Sequence, residues 1–276
     1  MIRTSAIIAD GSFPCVTAVL QGPCAQTFRQ AAETGYECVQ LTIRDVSDYD
    51  AEECRSLMKQ YSLSVSAMAT GRVYTVDRLS MGSSDEENRL ACVQRLQELA
   101  DFSCEIGKPA VVIGAVRGLY KDAESPEAYH RQFDRSVREL LDYCEPLGVP
   151  VILEADDHLE ADAFCDPQET LEYVRSFHSP VFHMYLDTMH LYNEGLDAAE
   201  VIRTYGKDIF SIDISGENRI SPVLSQMDFP GIAEAIRMSG FDGVLTFEIP
   251  PSPPENAARE SLAYIKRFLA ADEDVC

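Results

Sequence analysis

The sequence predicts a single (β/α)8 barrel domain that spans residues 1–276. Three observations support this prediction: the chain length, the regular alternation of strand-like and helix-like segments, and glycines that recur after the helices. The chain has 276 residues, and about 250 residues is typical of one such barrel. Hydrophobic residues make up 46% of the chain and charged residues 25%, so a large core can be buried.

Eight short apolar runs predict β-strands, because each has the length and the flanking turn residues expected of a buried strand. They fall near Thr4–Ala9, Cys38–Ile43, Leu63–Ala69, Ala110–Ala115, Pro150–Ala155, Val181–Asp187, Asp208–Ile214 and Gly243–Ile249. Strands in strict alternation with helices indicate a parallel sheet.

Eight segments with helical periodicity follow these strands in order. They fall near Ala25–Thr34, Ala51–Tyr61, Asp85–Ile106, Pro126–Leu147, Pro167–Phe177, Asp197–Tyr205, Phe229–Ser239 and Glu255–Leu269. Residues that cap helices support several of the predicted starts. Ser84 precedes an acidic first turn, and Ser125 and Asp166 each precede a proline at the first helical position.

A glycine follows five of the eight predicted helices and precedes the next strand, where a left-handed residue can turn the chain. These glycines are Gly35, Gly107, Gly148, Gly206 and Gly240. An open doubly wound sheet is the alternative arrangement, and it usually carries a glycine-rich phosphate loop after its first strand. Here the first strand leads into Asp10–Phe13, which does not fit that pattern. A closed barrel is therefore favoured.

Composition and charge disfavour several classes of partner. The formal net charge is -23, which repels nucleic acids and anionic membrane surfaces. No apolar run approaches the roughly 20 residues that a membrane span needs, and Met1–Ser5 resembles the start of a strand rather than a signal peptide. Nine cysteines without a Cys-x-x-Cys motif predict reduced thiols and a cytoplasmic protein.

Acidic residues stand at the carboxyl ends of predicted strands five to eight, where the chemistry of a barrel is located. They are Glu154, Asp187, Asp213 and Glu248. Any one of them could cap a helix or form half of an ion pair. Four together repel each other unless some are protonated or a cation is present, so the pattern predicts a divalent metal ion. Oxygen ligands suit Mn²⁺ or Mg²⁺ best, and Co²⁺ or Zn²⁺ are alternatives.

Further motifs surround these acids and give the chain a family resemblance. They are Gly114–Gly118 after the fourth predicted strand, Glu160 six residues after Glu154, the run Asp187-Thr188-Met189-His190, and the segment from Glu217 to Asp228 that contains Arg219 and Pro222. In this order the residues resemble the xylose isomerase-like TIM barrels, and they look most like the ketose 3-epimerases and keto-sugar-acid epimerases of that superfamily. The resemblance covers predicted strands four to eight.

The resemblance implies a small carbohydrate substrate that is epimerised or isomerised through an enediolate. In such enzymes four side chains bind one divalent ion, at positions that match Glu154, Asp187, Asp213 and Glu248. The ion lowers the cost of removing a proton next to a carbonyl. The two matching glutamates, Glu154 and Glu248, would form the acid/base pair.

Five further residues are candidates for substrate binding. The resemblance assigns His190 and Arg219 to substrate oxygens and makes Glu160 a further contact. His158 lies near the predicted site and is a candidate contact. Arg117 follows the fourth strand and suits a substrate carboxylate or phosphate, with a loop ion pair as the alternative.

The sequence departs from the family pattern at two places. The ligand on the seventh strand is usually histidine, and Asp213 stands there instead. This extra negative charge could favour a harder metal, leave one acid protonated, or mean that the ion has been lost. In addition, Val223–Ser225 stands where the family commonly has Gly-x-Gly.

Three hypotheses about function follow from these observations. The first is the metal-dependent epimerase or isomerase. The second is a lyase or dehydratase that uses the same site on a keto-sugar, a keto-inositol or an oxidised glycoside. The third is a non-catalytic, sugar-binding barrel that has lost the metal. The long connection Gly71–Ser84 is a candidate lid or, equally, a contact in a homo-oligomer.

Overall fold

The computed structural model describes residues 2–10, 15–251 and 256–270, and it has the predicted architecture. Its strands are β1 (Arg3–Ala9), β2 (Leu20–Gln21), β3 (Cys38–Thr42), β4 (Ser64–Ala69), β5 (Ala110–Ile113), β6 (Val151–Ala155), β7 (Phe182–Asp187), β8 (Ile209–Ile214) and β9 (Val244–Phe247). All pairings between these strands are parallel, and β1 pairs with both β3 and β9, which closes the barrel. The predicted (β/α)8 barrel is confirmed; the two-residue strand β2 was not predicted and pairs only with β1.

The helices surround the barrel. They are α1 (Cys24–Thr34), α2 (Ala51–Tyr61), α3 (Gly71–Thr75), α4 (Glu86–Glu105), α5 (Pro126–Leu147), α6 (Pro167–Ser176), α7 (Thr188–Asn193), α8 (Ala198–Tyr205), α9 (Phe229–Met238) and α10 (Ala257–Leu269). The short helices α3 and α7 were not predicted. Among the described residues, no helix combines the length and the apolar character that crossing a membrane requires.

Most of the predicted helix boundaries are correct. Ser125 and Asp166 accept hydrogen bonds from backbone N–H groups in the first turns of α5 and α6. The cap of α4 is Asp85 rather than the predicted Ser84, because the Asp85 carboxylate accepts from the N–H groups of the next turn. Gly206 differs from the prediction, since its φ of -49° lets a short 3-10 turn continue.

Two layers of apolar side chains stabilise this arrangement. The larger layer lies between the barrel and its helices, where residues such as Phe28, Leu96 and Phe133 have no exposed surface. A small cluster contains Ala67, Ala110, Val112, Ile152 and Tyr185. Strands six to nine present acidic side chains beyond this cluster, at their carboxyl ends.

The connection Gly71–Ser84, predicted as a lid or an oligomer contact, packs against the loop after β5. The N–H groups of Met81 and Gly82 donate to the carbonyls of Val116 and Arg117 at 3.1 and 3.2 Å. Met81 is fully buried. In this structure the connection therefore forms a fixed wall.

Gly243, just before β9, provides a test of how tightly the strand ends pack. An added Cβ would lie 2.1 Å from the backbone oxygen of Phe210, which no change of side-chain rotamer can relieve. We expect Gly243→Ala to lower the free energy of unfolding by about 1–3 kcal/mol in urea denaturation. Gly71→Ala is the control, because its nearest neighbour would be the Ala115 Cβ at 3.9 Å. Equal stability of both variants would contradict the packing described here.

Candidate active site

The four acidic residues predicted at the strand ends come together at the carboxyl end of the barrel. Asp187 ends β7 and pairs in register with Asp213 on β8. Glu154 lies on β6, and Glu248 follows β9. Oxygen atoms of Glu154, Asp187 and Glu248 lie within 4.8 Å of one another. The expectation that strand order would gather these acids therefore agrees with the structure.

Arg219 lies directly among these carboxylates. Its Nη1 donates to Oδ2 of Asp187 at 2.7 Å and forms an ion pair with Oε2 of Glu248, also at 2.7 Å. Its Nη2 lies 3.3 Å from Nε2 of His190 and 3.6 Å from the Glu160 carboxylate. Burial opposes the charged form, but Glu248 and Asp187 raise the pKa of Arg219 above its ordinary value, so the guanidinium is a permanent cation.

Asp213 differs from its neighbours because a buried oxygen of its carboxyl accepts no hydrogen bond from any described residue. Its Oδ1 has no hydrogen-bond partner within the described parts of the chain. Burial, together with the charges of Glu248 and Asp187, raises the pKa of Asp213 well above 3.8. A neutral carboxyl is therefore favoured unless another cation approaches.

The two glutamates of the expected acid/base pair have different environments. Burial raises the pKa of Glu154, but hydrogen bonds from His190 and Tyr185 and the charge of His190 outweigh it, and the net pKa is lowered. For Glu248, burial outweighs the opposing charge of Arg219 and raises the pKa to about 7. Glu154 is thus held ionised, whereas Glu248 can carry a proton near neutral pH.

A buried pair, Asp157 and His190, was not found from the sequence. The Asp157 carboxylate bonds to Nδ1 of His190 at 2.6 Å and accepts from Asn193 at 2.7 Å. Burial opposes the imidazolium, but the bonds to Asp157 and Glu154 raise the pKa of His190 to about 12. His190 is therefore a charged donor whose Nε2 faces Glu154 and Asp156, both at 3.5 Å.

A signal for this pair was present in the sequence, because Asp156-Asp157 follows Glu154 immediately after β6. Burial raises the pKa of Asp156 to about 6, with Arg117 opposing the shift. Asn193 could not be found in the same way, since it belongs to the unpredicted helix α7.

Arg117 has a different place from the expected contact with substrate. The side chain is 1% exposed and donates to the carbonyls of Ile113, Gly114, Glu154 and Ala163. It also lies 3.7 Å from Asp156. With its donors bound to backbone, Arg117 fixes the loops behind Glu154 and does not line the cavity.

Of the other two expected contacts, Glu160 lies at the cavity wall and His158 lies on the surface. Glu160 lines the cavity, with its side chain 52% exposed and near Arg219. The side chain of His158 is 70% exposed and pairs with Glu194 at 2.8 Å. The structure therefore brings Glu160 to the site and leaves His158 outside it.

The acidic cluster opens into a cavity of about 770 Å³, which falls within the usual size range of small-molecule sites. Gln40, Thr42, Tyr185 and Asn193 contribute polar groups to its wall, and Arg72 contributes a cation. A wall of hydroxyl, amide and charged groups suits a ligand with many oxygen atoms.

Two groups of side chains could hold a metal ion. One contains Glu154, Asp187 and Glu248, and the other contains Glu154, Asp156 and His190. In the second group Nε2 of His190 could bind an ion in place of a proton, because Asp157 already holds Nδ1. The first offers only oxygen atoms, and the unpartnered Oδ1 of Asp213 lies on the neighbouring strand. This donor set fits a hard divalent cation.

Comparison with known proteins gives a consistent result. The sequence model of the family described as xylose isomerase-like TIM barrel matches residues 28–268. The chain is 22% identical to an L-ribulose 3-epimerase of Mesorhizobium japonicum over 86% of this chain and 79% of that protein. It is 20% identical to the 3-dehydro-D-guloside 4-epimerase of Escherichia coli K12 over 87% of this chain and 93% of that protein.

Solved structures show the same fold. The apo form of a 3-keto-D-glucoside 4-epimerase from E. coli superposes with a TM-score of 0.77 at 19% identity, covering 95% of this chain and 98% of that one. An L-ribulose 3-epimerase superposes with a TM-score of 0.80 at 18% identity, covering 98% and 95%. At these identities the likeness to solved structures establishes the architecture only.

The buried Asp213 carboxyl leads to a prediction about how the stability of the protein depends on pH. Its pKa in the folded protein lies above 3.8, so the folded state binds a proton that the unfolded state releases, and stability falls as the pH rises above about 4. We expect Asp213→Asn to raise the free energy of unfolding of the chelator-treated protein by about 1–3 kcal/mol near pH 7. The gain should vanish near pH 4.

Urea denaturation at the two pH values measures this difference. Asp142→Asn is the control, because Asp142 is exposed on α5. A gain from Asp213→Asn that is equal at both pH values would mean that ionisation of Asp213 is not its cause.

Proposed function

The chain belongs to the xylose isomerase-like TIM barrel family, and from this premise we propose that it is a divalent-metal-dependent epimerase of a ketose or keto-sugar acid. The observation that carries the proposal is the convergence of Glu154, Asp187 and Glu248 beside a cavity of sugar size. The relatives named above are 3- and 4-epimerases of sugars, which supports this class of reaction.

Glu154, Asp187 and Glu248 would hold the ion, with Asp213 as the fourth candidate ligand. Their oxygen atoms favour Mn²⁺ or Mg²⁺ over softer ions. When bound, the ion supplies Lewis acidity that stabilises negative charge on a substrate carbonyl oxygen.

Glu154 and Glu248 would move the proton. Glu154 is held ionised and can accept a proton from the carbon next to the carbonyl. Glu248 can return a proton to the same carbon. Glu154 lies on β6 and Glu248 follows β9, and β7 and β8 separate these strands, so the two residues approach a ligand from different directions. Return of the proton to the opposite face inverts the centre.

Arg219 and Glu160 would bind and orient the substrate, and His190 would hold Glu154 in place. His190, an expected substrate contact, is 1% exposed and is not among the residues that line the cavity. The bond to Asp157 fixes its ring, so that its Nε2 faces the Glu154 carboxylate at 3.5 Å. Arg219 and Glu160 lie at the wall of the same cavity and offer a donor and an acceptor to hydroxyl groups. Such contacts hold a flexible sugar in one reactive geometry.

Removal of metal tests the proposal at its first step. We expect chelator treatment to abolish the conversion of a ketose or keto-sugar, and about one equivalent of Mn²⁺ or Mg²⁺ per chain to restore it. Chromatography and mass spectrometry of the product measure the reaction. An unchanged mass supports epimerisation, whereas loss of water or of an aglycone would indicate a lyase. Failure of the protein to bind any divalent ion would favour a non-catalytic barrel.

Replacement of Glu248 tests the acid/base assignment. We expect Glu248→Gln to lower kcat by at least about a hundredfold, because the amide cannot take or return a proton. Its thermal stability should change little, since Glu248 lies at the mouth of the barrel. The control is Glu234→Gln on the exposed face of α9, which removes the same charge far from the site. Near wild-type turnover by Glu248→Gln would exclude the assigned role.

A further inference from the structure

We propose that Arg219 is an internal cation that competes with the divalent ion for Asp187 and Glu248, so that its guanidinium must leave before the ion can bind. The inference rests on the metal site of the proposed function and adds a residue that sets the affinity of that site. It predicts that the chain binds its ion less tightly than its carboxylates alone would allow.

The hydrogen bonds of Asp187 provide the main argument. Its Oδ1 accepts from the N–H of Met189 at 2.7 Å and from the hydroxyl of Ser215 at 2.8 Å. Only Oδ2 remains for an ion, and Nη1 of Arg219 binds that oxygen at 2.7 Å. The same Nη1 lies 2.7 Å from Oε2 of Glu248. A single donor nitrogen therefore occupies the position from which an ion would contact both carboxylates.

Electrostatic repulsion disfavours a site that holds both the Arg219 guanidinium and a divalent ion. A divalent ion next to a guanidinium in a site of low dielectric experiences strong repulsion, whereas each cation alone is attracted by the carboxylates. Displacement of Arg219 would relieve this repulsion.

Glu160 provides an acceptor for the displaced side chain. Its carboxylate lies 3.6 Å from Nη2 of Arg219, and its side chain is 52% exposed at the cavity wall. Arg219 extends from a short turn after β8, Glu217–Arg219, rather than from a strand or a long helix. Asn218 and Arg219 both have positive φ values, 56° and 58°. Non-glycine residues rarely adopt this conformation, and a local change of backbone can release it.

Titration of the chelator-treated full-length protein with Mn²⁺, followed by the EPR signal of the free ion, measures the competition. We expect Arg219→Gln to bind Mn²⁺ about tenfold or more tightly than the wild type, because the competing occupant is gone. The matched control is Arg175→Gln, which removes the same charge from an exposed pair with Asp208. Its affinity for Mn²⁺ should equal that of the wild type.

A double-mutant cycle separates displacement from simple repulsion. Glu160→Gln should weaken Mn²⁺ binding in the wild-type background, because the displaced Arg219 loses its acceptor. In the Arg219→Gln background the same change should have a much smaller effect. Equal effects in both backgrounds would mean that Glu160 acts by charge alone, and would overturn the displacement to Glu160.

The remaining outcomes distinguish this inference from the proposed function. If the wild type binds Mn²⁺ and Arg219→Gln binds no more tightly, the competition is refuted and the metal-dependent epimerase stands. If only Arg219→Gln binds the ion, the competition is supported and metal dependence of the natural chain fails. If neither binds it, both fail.

A second measurement serves if Arg219→Gln does not fold. NMR spectra of the wild type with ¹⁵N-labelled arginine should show the Arg219 guanidinium signals shift as Mg²⁺ is added. Signals that stay unchanged at saturating Mg²⁺ would contradict displacement.

Discussion

Repulsion among buried carboxylates is the constraint on which this end of the barrel depends. Six acidic residues lie within or just beyond the carboxyl ends of β6 to β9: Glu154, Asp156, Asp157, Asp187, Asp213 and Glu248. Parallel strands closed into a barrel bring their carboxyl ends together, so the fold itself forces these groups into proximity. Each must then find a donor, a proton or a cation, because an isolated charge is costly in a site of low dielectric.

Three cationic side chains offset the negative charge of these carboxylates, and they lie at different depths in the barrel. Arg117 lies behind the site, fixed by backbone carbonyls and near Asp156. His190 lies between Asp157 and Glu154. Arg117 and His190 are each 1% exposed. The side chain of Arg219 is 16% exposed and lines the cavity. Arg117 and His190 therefore belong to the framework, whereas Arg219 is placed to exchange with a ligand.

The sequence was sufficient to predict the barrel, the family and the convergence of the four acids, because all depend on the order of strands along the chain. It was not sufficient for Arg117, since the side chain binds carbonyls up to 46 residues away and only the folded loops bring these together. Asp157 and His190 both stand out in the sequence, but their contact was missed because it depends on α7, a six-residue helix that is too short for periodicity to reveal.

Asp213 connects these observations. With a neutral histidine at its position, the cluster would carry one carboxyl fewer and could be compensated more easily. With Asp213 present, two effects limit the negative charge of the cluster. Burial raises the pKa of Asp213 and so favours its protonated form, and Arg219 forms ion pairs with Asp187 and Glu248. A divalent ion that replaced both the proton and the guanidinium would bring two positive charges and remove two. On the proposed function, ion binding is therefore an exchange of cations that leaves the charge of the site unchanged, and it should release a proton.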